Sequence, residues 1–180
     1  MDNLKPILER LLFVADVPLS IDQIKSFLEM DDRNTIRAVL TAVSEEYDAL
    51  KRGFFLSEVA GGFQLRTRPE YRQWARRVKQ SKPARLSRAA METLAIVAYK
   101  QPVLRSDVEH LRGVDCGGTL RTLLERGIVR VLGRKDLPGR PMVYGTSKRF
   151  LEIFDLKDLT NLPTLKDLQD LGEAWPNDST

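Results

Sequence analysis

Cysteine is nearly missing from this 180-residue chain: Cys116 stands alone, so no disulfide can form within it, which fits a reducing compartment. Histidine is as scarce, and His110 by itself supports neither a zinc-type ligand set nor a multi-histidine acid–base centre. Long apolar runs are missing too. The stretch from Leu11 to Ala15 falls far short of the ~20 residues that a membrane helix requires. Lys5, Glu9, Arg10 and Asp16 break up what a secretory signal would need as its apolar core. No glycine-rich loop runs into Lys-Ser or Lys-Thr, so a phosphate cradle has no signature. The expectation is a cytoplasmic protein without metal, cofactor or membrane contact.

What remains is an ordinary globular composition, 42% hydrophobic and 30% charged, with net charge +4. The charge is unevenly spread. Residues 1–63 carry seven basic and eleven acidic side chains, residues 64–90 nine and one, residues 91–154 eleven and seven, and residues 155–180 two and six. A basic balance alone suggests nucleic acid. An acidic first third weakens that inference, because it would repel a phosphate backbone.

Apolar spacing sets out the elements. Leu4, Ile7, Leu8, Leu11, Leu12 and Ala15 recur at helical intervals, which predicts an amphipathic helix over 3–15. Ser20 and Gln23 form a capping-box pair before Ile24, Phe27 and Leu28. A third helix starts near Asn34, with Ile36, Val39, Leu40, Val43, Tyr47 and Leu50 facing inward and Gly53 as its stop. Phe54 to Val59 reads as a strand, Gly61-Gly62 as a hairpin turn, and Phe63, Leu65 and Thr67 alternate along the return. Pro69 opens a fourth helix whose Tyr71, Trp74 and Val78 share one face at core spacing.

The order then repeats. LLFVADVPLSIDQI at residues 11–24 resembles LAIVAYKQPVLRSDVEHL at 94–111. Met91, Leu94, Ala95 and Ala98 mark one helix, Leu104, Val108 and Leu111 a second, and Leu120, Leu123 and Leu124 a third that Gly127 stops. A hairpin follows: Ile128, Val129, Val131 and Leu132, then Gly133, a Pro138-Gly139 turn, and Met142-Val143-Tyr144. Phe150, Leu151 and Phe154 give a short last helix. Three helices followed by a hairpin are the winged-helix pattern, so the fold class is α+β, mostly helical, with two tandem winged-helix domains. The expected divisions are 1–80, a Pro83-containing linker at 81–87, a second domain at 88–165, and a disordered acidic tail at 166–180.

No catalytic set assembles from these residues. His110 and Cys116 lack a third, orienting group, and Asp31-Asp32 and Glu45-Glu46 read as solvated helix charges. DNA binding is the rival reading, with Arg121 and Arg126 on the second unit's third helix and Arg134, Lys135 and Arg140 on its wing. Against it stand Glu45, Glu46 and Asp48 on the first unit's third helix. A protein-binding module makes fewer demands. Pro138, Gly139 and Pro141 restrict the second wing and lower the cost of ordering it in a complex.

GRKDLPGRPMVYGTSKRFLEIFDLKDLTNLP at 133–163, EVAGGFQLRTRPEY at 58–71 and LSRAAMETLAIVAYKQPVLRSDVEHLRGV at 86–114 resemble the segregation and condensation protein B family over roughly residues 4–165. The resemblance implies a non-enzymatic, nucleoid-associated subunit of the bacterial SMC–kleisin complex that supports chromosome condensation and segregation during cell division. It implies a homodimer formed chiefly through the N-terminal domain. It also implies binding to the kleisin subunit, segregation and condensation protein A, which contacts the SMC ATPase; DNA contact would be weak or indirect. By this analogy Arg134, Gly139, Arg140 and Tyr144 are the expected kleisin contacts. Leu4, Leu8 and Leu11 are the expected dimer contacts.

Overall fold

The computed structural model describes residues 3–79, 85–164 and 167. Helix α1 (Leu4–Val14) buries Leu4, Leu8 and Leu12 along one stripe. Helix α2 (Ile21–Leu28) opens with the expected capping box, in which Ser20 accepts from the Gln23 N–H and Gln23 reaches back to the Ser20 N–H. Asp32 caps α3 (Arg33–Ala49) through the amides of Asn34 and Thr35, and the helix buries Ile36, Leu40, Val43 and Tyr47. These side chains meet Leu19, Ile24, Leu56 and Phe63 in one apolar cluster.

Strands β1 (Phe54–Val59) and β2 (Gly62–Thr67) pair antiparallel, Val59 opposite Gly62. The turn is therefore Ala60-Gly61, not Gly61-Gly62. Both turn residues have positive φ, 52° and 73°, which suits the right-handed twist of a two-residue hairpin. Gly62 is needed for another reason: a Cβ there would lie 2.8 Å from the Leu19 backbone, where Leu19 bridges to Phe63. Helix α3 also ends before Gly53. Its chain reversal falls at Lys51, with φ 47°.

A 3₁₀ turn (Pro69–Tyr71) leads into α4 (Arg72–Lys79). The expected core face of this helix is out in solvent: Trp74 is 51% and Val78 84% exposed. Phe27, Leu50, Met91 and Leu111 also lie outside the cores to which their spacing assigned them.

The second unit repeats the plan with α5 (Arg88–Lys100), β3 (Val103–Leu104), α6 (Arg105–Arg112) and α7 (Gly117–Glu125). These are followed by β4 (Val129–Arg134), β5 (Met142–Thr146) and α8 (Lys148–Ile153). Strand β3, missed by the sequence reading, makes a three-stranded sheet in the order β3-β5-β4. It occupies the place of the single Leu19–Phe63 bridge in the first unit. A second, separate apolar cluster gathers Leu94, Val97, Val108, Leu120, Leu123 and Phe150. Two cores, each built from three helices and a hairpin, form a tandem winged-helix chain. Most of the expected linker, and all of the tail beyond Leu165 except Asp167, lie outside the described residues.

Candidate interaction surfaces

The second wing is the stretch between β4 and β5, and every residue from Val131 to Arg140 is exposed. Its shape is held from within. The Arg134 guanidinium donates to the Arg140 carbonyl at 3.0 Å, the Lys135 N–H to the Pro141 carbonyl at 2.9 Å, and the Arg140 N–H to the Leu137 carbonyl at 2.8 Å. Gly139 and Arg140 both have positive φ, 81° and 41°; a non-glycine residue pays strain for that, and the wing bonds oppose its relaxation. The tip presents Leu132 and Leu137 beside the cations, a mixed apolar and basic face.

Arg134, Gly139 and Arg140 are thus brought together on this tip. Tyr144 is not among them. It is buried at the wing's base, paired with Val103 on one side and Val131 on the other, with its hydroxyl 3.8 Å from Met142 Sδ. Below it Gln101 accepts from both the amide and the hydroxyl of Thr146, at 2.8 and 3.0 Å, pinning β5 to the end of α5. Tyr144 can orient the wing but cannot present itself to a partner.

Leu4 and Leu8 are likewise committed to their own core, and Leu11 is half-buried against it. The unpartnered apolar surface of the first unit lies elsewhere. Beside the C-terminal end of α1 opens a groove of about 730 Å³, lined by Leu12, Phe13, Val14, Tyr47, Phe54 and Leu65 among others. Phe13 is 81% exposed and Val14 is nearly as open. The Tyr47 hydroxyl donates to Glu9 at 2.9 Å in the groove wall, and burial together with the Glu9 carboxylate pushes its pKa up to about 12. Helix α4 adds Trp74 and Val78, with Tyr71 of the 3₁₀ turn before it, as a second apolar face on the same unit.

Neither reactive candidate forms a site. His110 is exposed on α6, whereas Cys116 is fully buried at the start of α7, where its thiol donates to the Val114 carbonyl at 3.3 Å. Among the described residues, no cluster of three metal-ligating side chains occurs. No described helix is long and apolar enough to cross a membrane.

The two units touch through the first hairpin. The amides of Ala60 and Gly61 donate to the carbonyls of Leu156 and Lys157, each at 2.9 Å, and Lys157 pairs with Glu58 at 3.1 Å. Sequence reasoning had no access to this contact, because hairpin residues carry no mark of what their tip will meet.

A model of the family described as segregation and condensation complex subunit ScpB matches residues 6–165. Segregation and condensation protein B of Syntrophotalea carbinolica is 50% identical over 169 residues, covering 94% of this chain and 85% of that protein. The crystal structure of ScpB from Mycobacterium tuberculosis is 32% identical, with TM-score 0.41, over 85% of this chain and 95% of that one. A structure described as a dimer of the ScpB N-terminal domain complexed with ScpA peptide is 31% identical, with TM-score 0.39, over 43% of this chain and 95% of that one.

Proposed function

The chain belongs to the ScpB family, a non-enzymatic subunit of the SMC–ScpAB condensation complex, and from that premise we propose that it acts as a homodimer gripping the central segment of the kleisin ScpA. It works in the cytoplasm at the nucleoid, reaching the SMC ATPase through the kleisin and touching DNA only weakly.

The observation that carries this reading is the pair of unpartnered apolar surfaces on the first unit. Trp74 and Val78 on α4 stand in water, and so do Phe13 and Val14 at the mouth of the groove. A second copy of the chain relieves both at once when α4 of each protomer lies along the groove of the other. Such a contact is self-complementary about a two-fold axis, the symmetry that a closed homodimer requires. Each large apolar side chain covered contributes about 1.5–3 kcal/mol.

The second unit holds the kleisin through its wing, with Arg134 and Arg140 as charged contacts and Leu132 and Leu137 as apolar ones. Because the wing is braced internally, docking costs little ordering entropy. Trp74→Ser should leave a folded single chain that binds the kleisin segment less tightly. Arg140→Glu should leave a dimer with impaired kleisin binding. Co-purification combined with light scattering separates the two outcomes.

A further inference from the structure

Helix α4 has a second face. Arg72 and Arg76 stand four residues apart, on the side of the helix away from Trp74 and Val78, and Arg77 lies at the other edge of the same polar half, three residues on from Trp74. All three are exposed, and none forms an ion pair among the described residues. No carboxylate occurs on the helix itself. Several other cations are answered: Arg68 by Asp48, Arg88 by Glu92, Arg105 by Glu109 and Asp115, Arg121 by Glu125. On the second wing Arg134 and Arg140 form no ion pair among the described residues either, but Arg134 is tied to the Arg140 carbonyl and that tip is the surface assigned to the kleisin. The helices that a winged-helix protein usually lays in the major groove are poor candidates here. Helix α3 carries Glu45, Glu46 and Asp48, and on α7 Arg121 is tied to Glu125 at 2.9 Å.

We infer that the Arg72, Arg76 and Arg77 face of α4, rather than either third helix, is where this protein contacts duplex DNA, through phosphates and without reading sequence. The spacing fits. Arg72 and Arg76 stand about 6 Å apart along the helix, close enough for their flexible side chains to reach neighbouring phosphates of one strand. Guanidinium groups suit phosphate oxygens better than ammonium groups do, because two parallel N–H donors can engage two oxygens. The inference rests on the dimer reading in one respect: with the apolar face covered by the second copy, both basic faces stay free, and the dimer offers two.

The test is fluorescence anisotropy of a short labelled duplex of mixed sequence with the full chain, across about 50–200 mM salt. Affinity should be measurable at the low end, lost at the high end and indifferent to sequence. Each phosphate neutralised contributes about 0.9 to the slope of log affinity against log salt. Arg72→Gln, Arg76→Gln and Arg77→Gln together should therefore flatten that slope by about 2.7 for each face engaged. Arg121→Gln, on the third helix of the second unit, should leave it unchanged. An unaltered slope in the triple variant, a loss caused by Arg121→Gln, or tighter binding to polyglutamate than to DNA overturns the inference. The dimer reading fails separately, through an unchanged solution mass in Trp74→Ser.

Discussion

Arg66 Nη1 lies 2.8 Å from Asp155 Oδ1, joining the returning strand of the first hairpin to the segment after α8 across 89 positions of sequence. The same guanidinium donates to the Glu152 carbonyl at 2.9 Å. Asp155 holds a left-handed backbone, φ 55°, which glycine would adopt more readily. Arg66 thus joins the Ala60 and Gly61 amides and the Lys157–Glu58 pair in latching the two winged-helix units. Arg66→Ala should weaken the latch by about 1–2 kcal/mol, discounted for the exposure of Asp155. Single-molecule energy transfer between labels on the two units should then show a broader distance distribution, while each unit keeps its own stability. A distribution identical to the parent's would show that the latch does not set the arrangement.

Tyr47 gives the first unit an alkaline limit. Its folded pKa, about 12, lies above its ordinary value near 10, so the folded chain binds more protons than the unfolded chain between those values. Stability from this group is complete below about pH 10 and drains away as pH rises towards 12, by about 3 kcal/mol in all. Urea midpoints measured from pH 9 upward should fall more steeply for the parent than for Tyr47→Phe. At neutral pH, Tyr47→Phe loses only its bond to Glu9, about 1 kcal/mol.

Two adjacent glycines should respond differently to alanine. At Gly62 a Cβ meets the Leu19 backbone at 2.8 Å, and backbone cannot step aside, so Gly62→Ala should destabilise the first unit by about 1–3 kcal/mol and loosen the Leu19–Phe63 bridge. At Gly61 nothing lies within 4 Å, and the cost is only that of holding alanine at φ 73°, about 1 kcal/mol. Thermal unfolding of the two variants should rank them in that order, and the reverse ranking would place the close approach elsewhere.

In the second wing, Gly139→Ala should strain the φ 81° turn, and Tyr144→Ala should remove the side chain that seats it. Both should reduce kleisin affinity without touching the kleisin. Tyr144→Ala should also cost about 3–5 kcal/mol of stability in the second unit, in the range for loss of a buried aromatic. Full kleisin affinity in a folded Gly139→Ala chain would move the contact off the wing.

Much of this architecture could be read from spacing. The periodicity of Leu4, Leu8 and Leu12, the Ser20–Gln23 box and the stop at Gly127 all express local physics, and each appears where its residues place it. The repeat of helices and hairpin was legible for the same reason. Surfaces were not. Tyr71, Trp74 and Val78 have the spacing of a core face, and nothing local distinguishes a stripe that its own chain covers from one left for another chain. Tyr144 shows the converse: a tyrosine beside an exposed arginine loop reads as a contact, yet it lies on the central strand, between Val103 of β3 and Val131 of β4, and is buried there. Strand β3 was hidden because two residues have no period, and its pairing with β5 spans some forty positions.

The most direct test of the account is the solution mass, by light scattering, of the chain alone and with the kleisin's central segment. Twice the 20.5 kDa of one chain, rising when the kleisin segment is added and dropping to a single chain in Trp74→Ser, is the expected result. A parent that scatters as one chain at every concentration and gains no mass with the kleisin contradicts it.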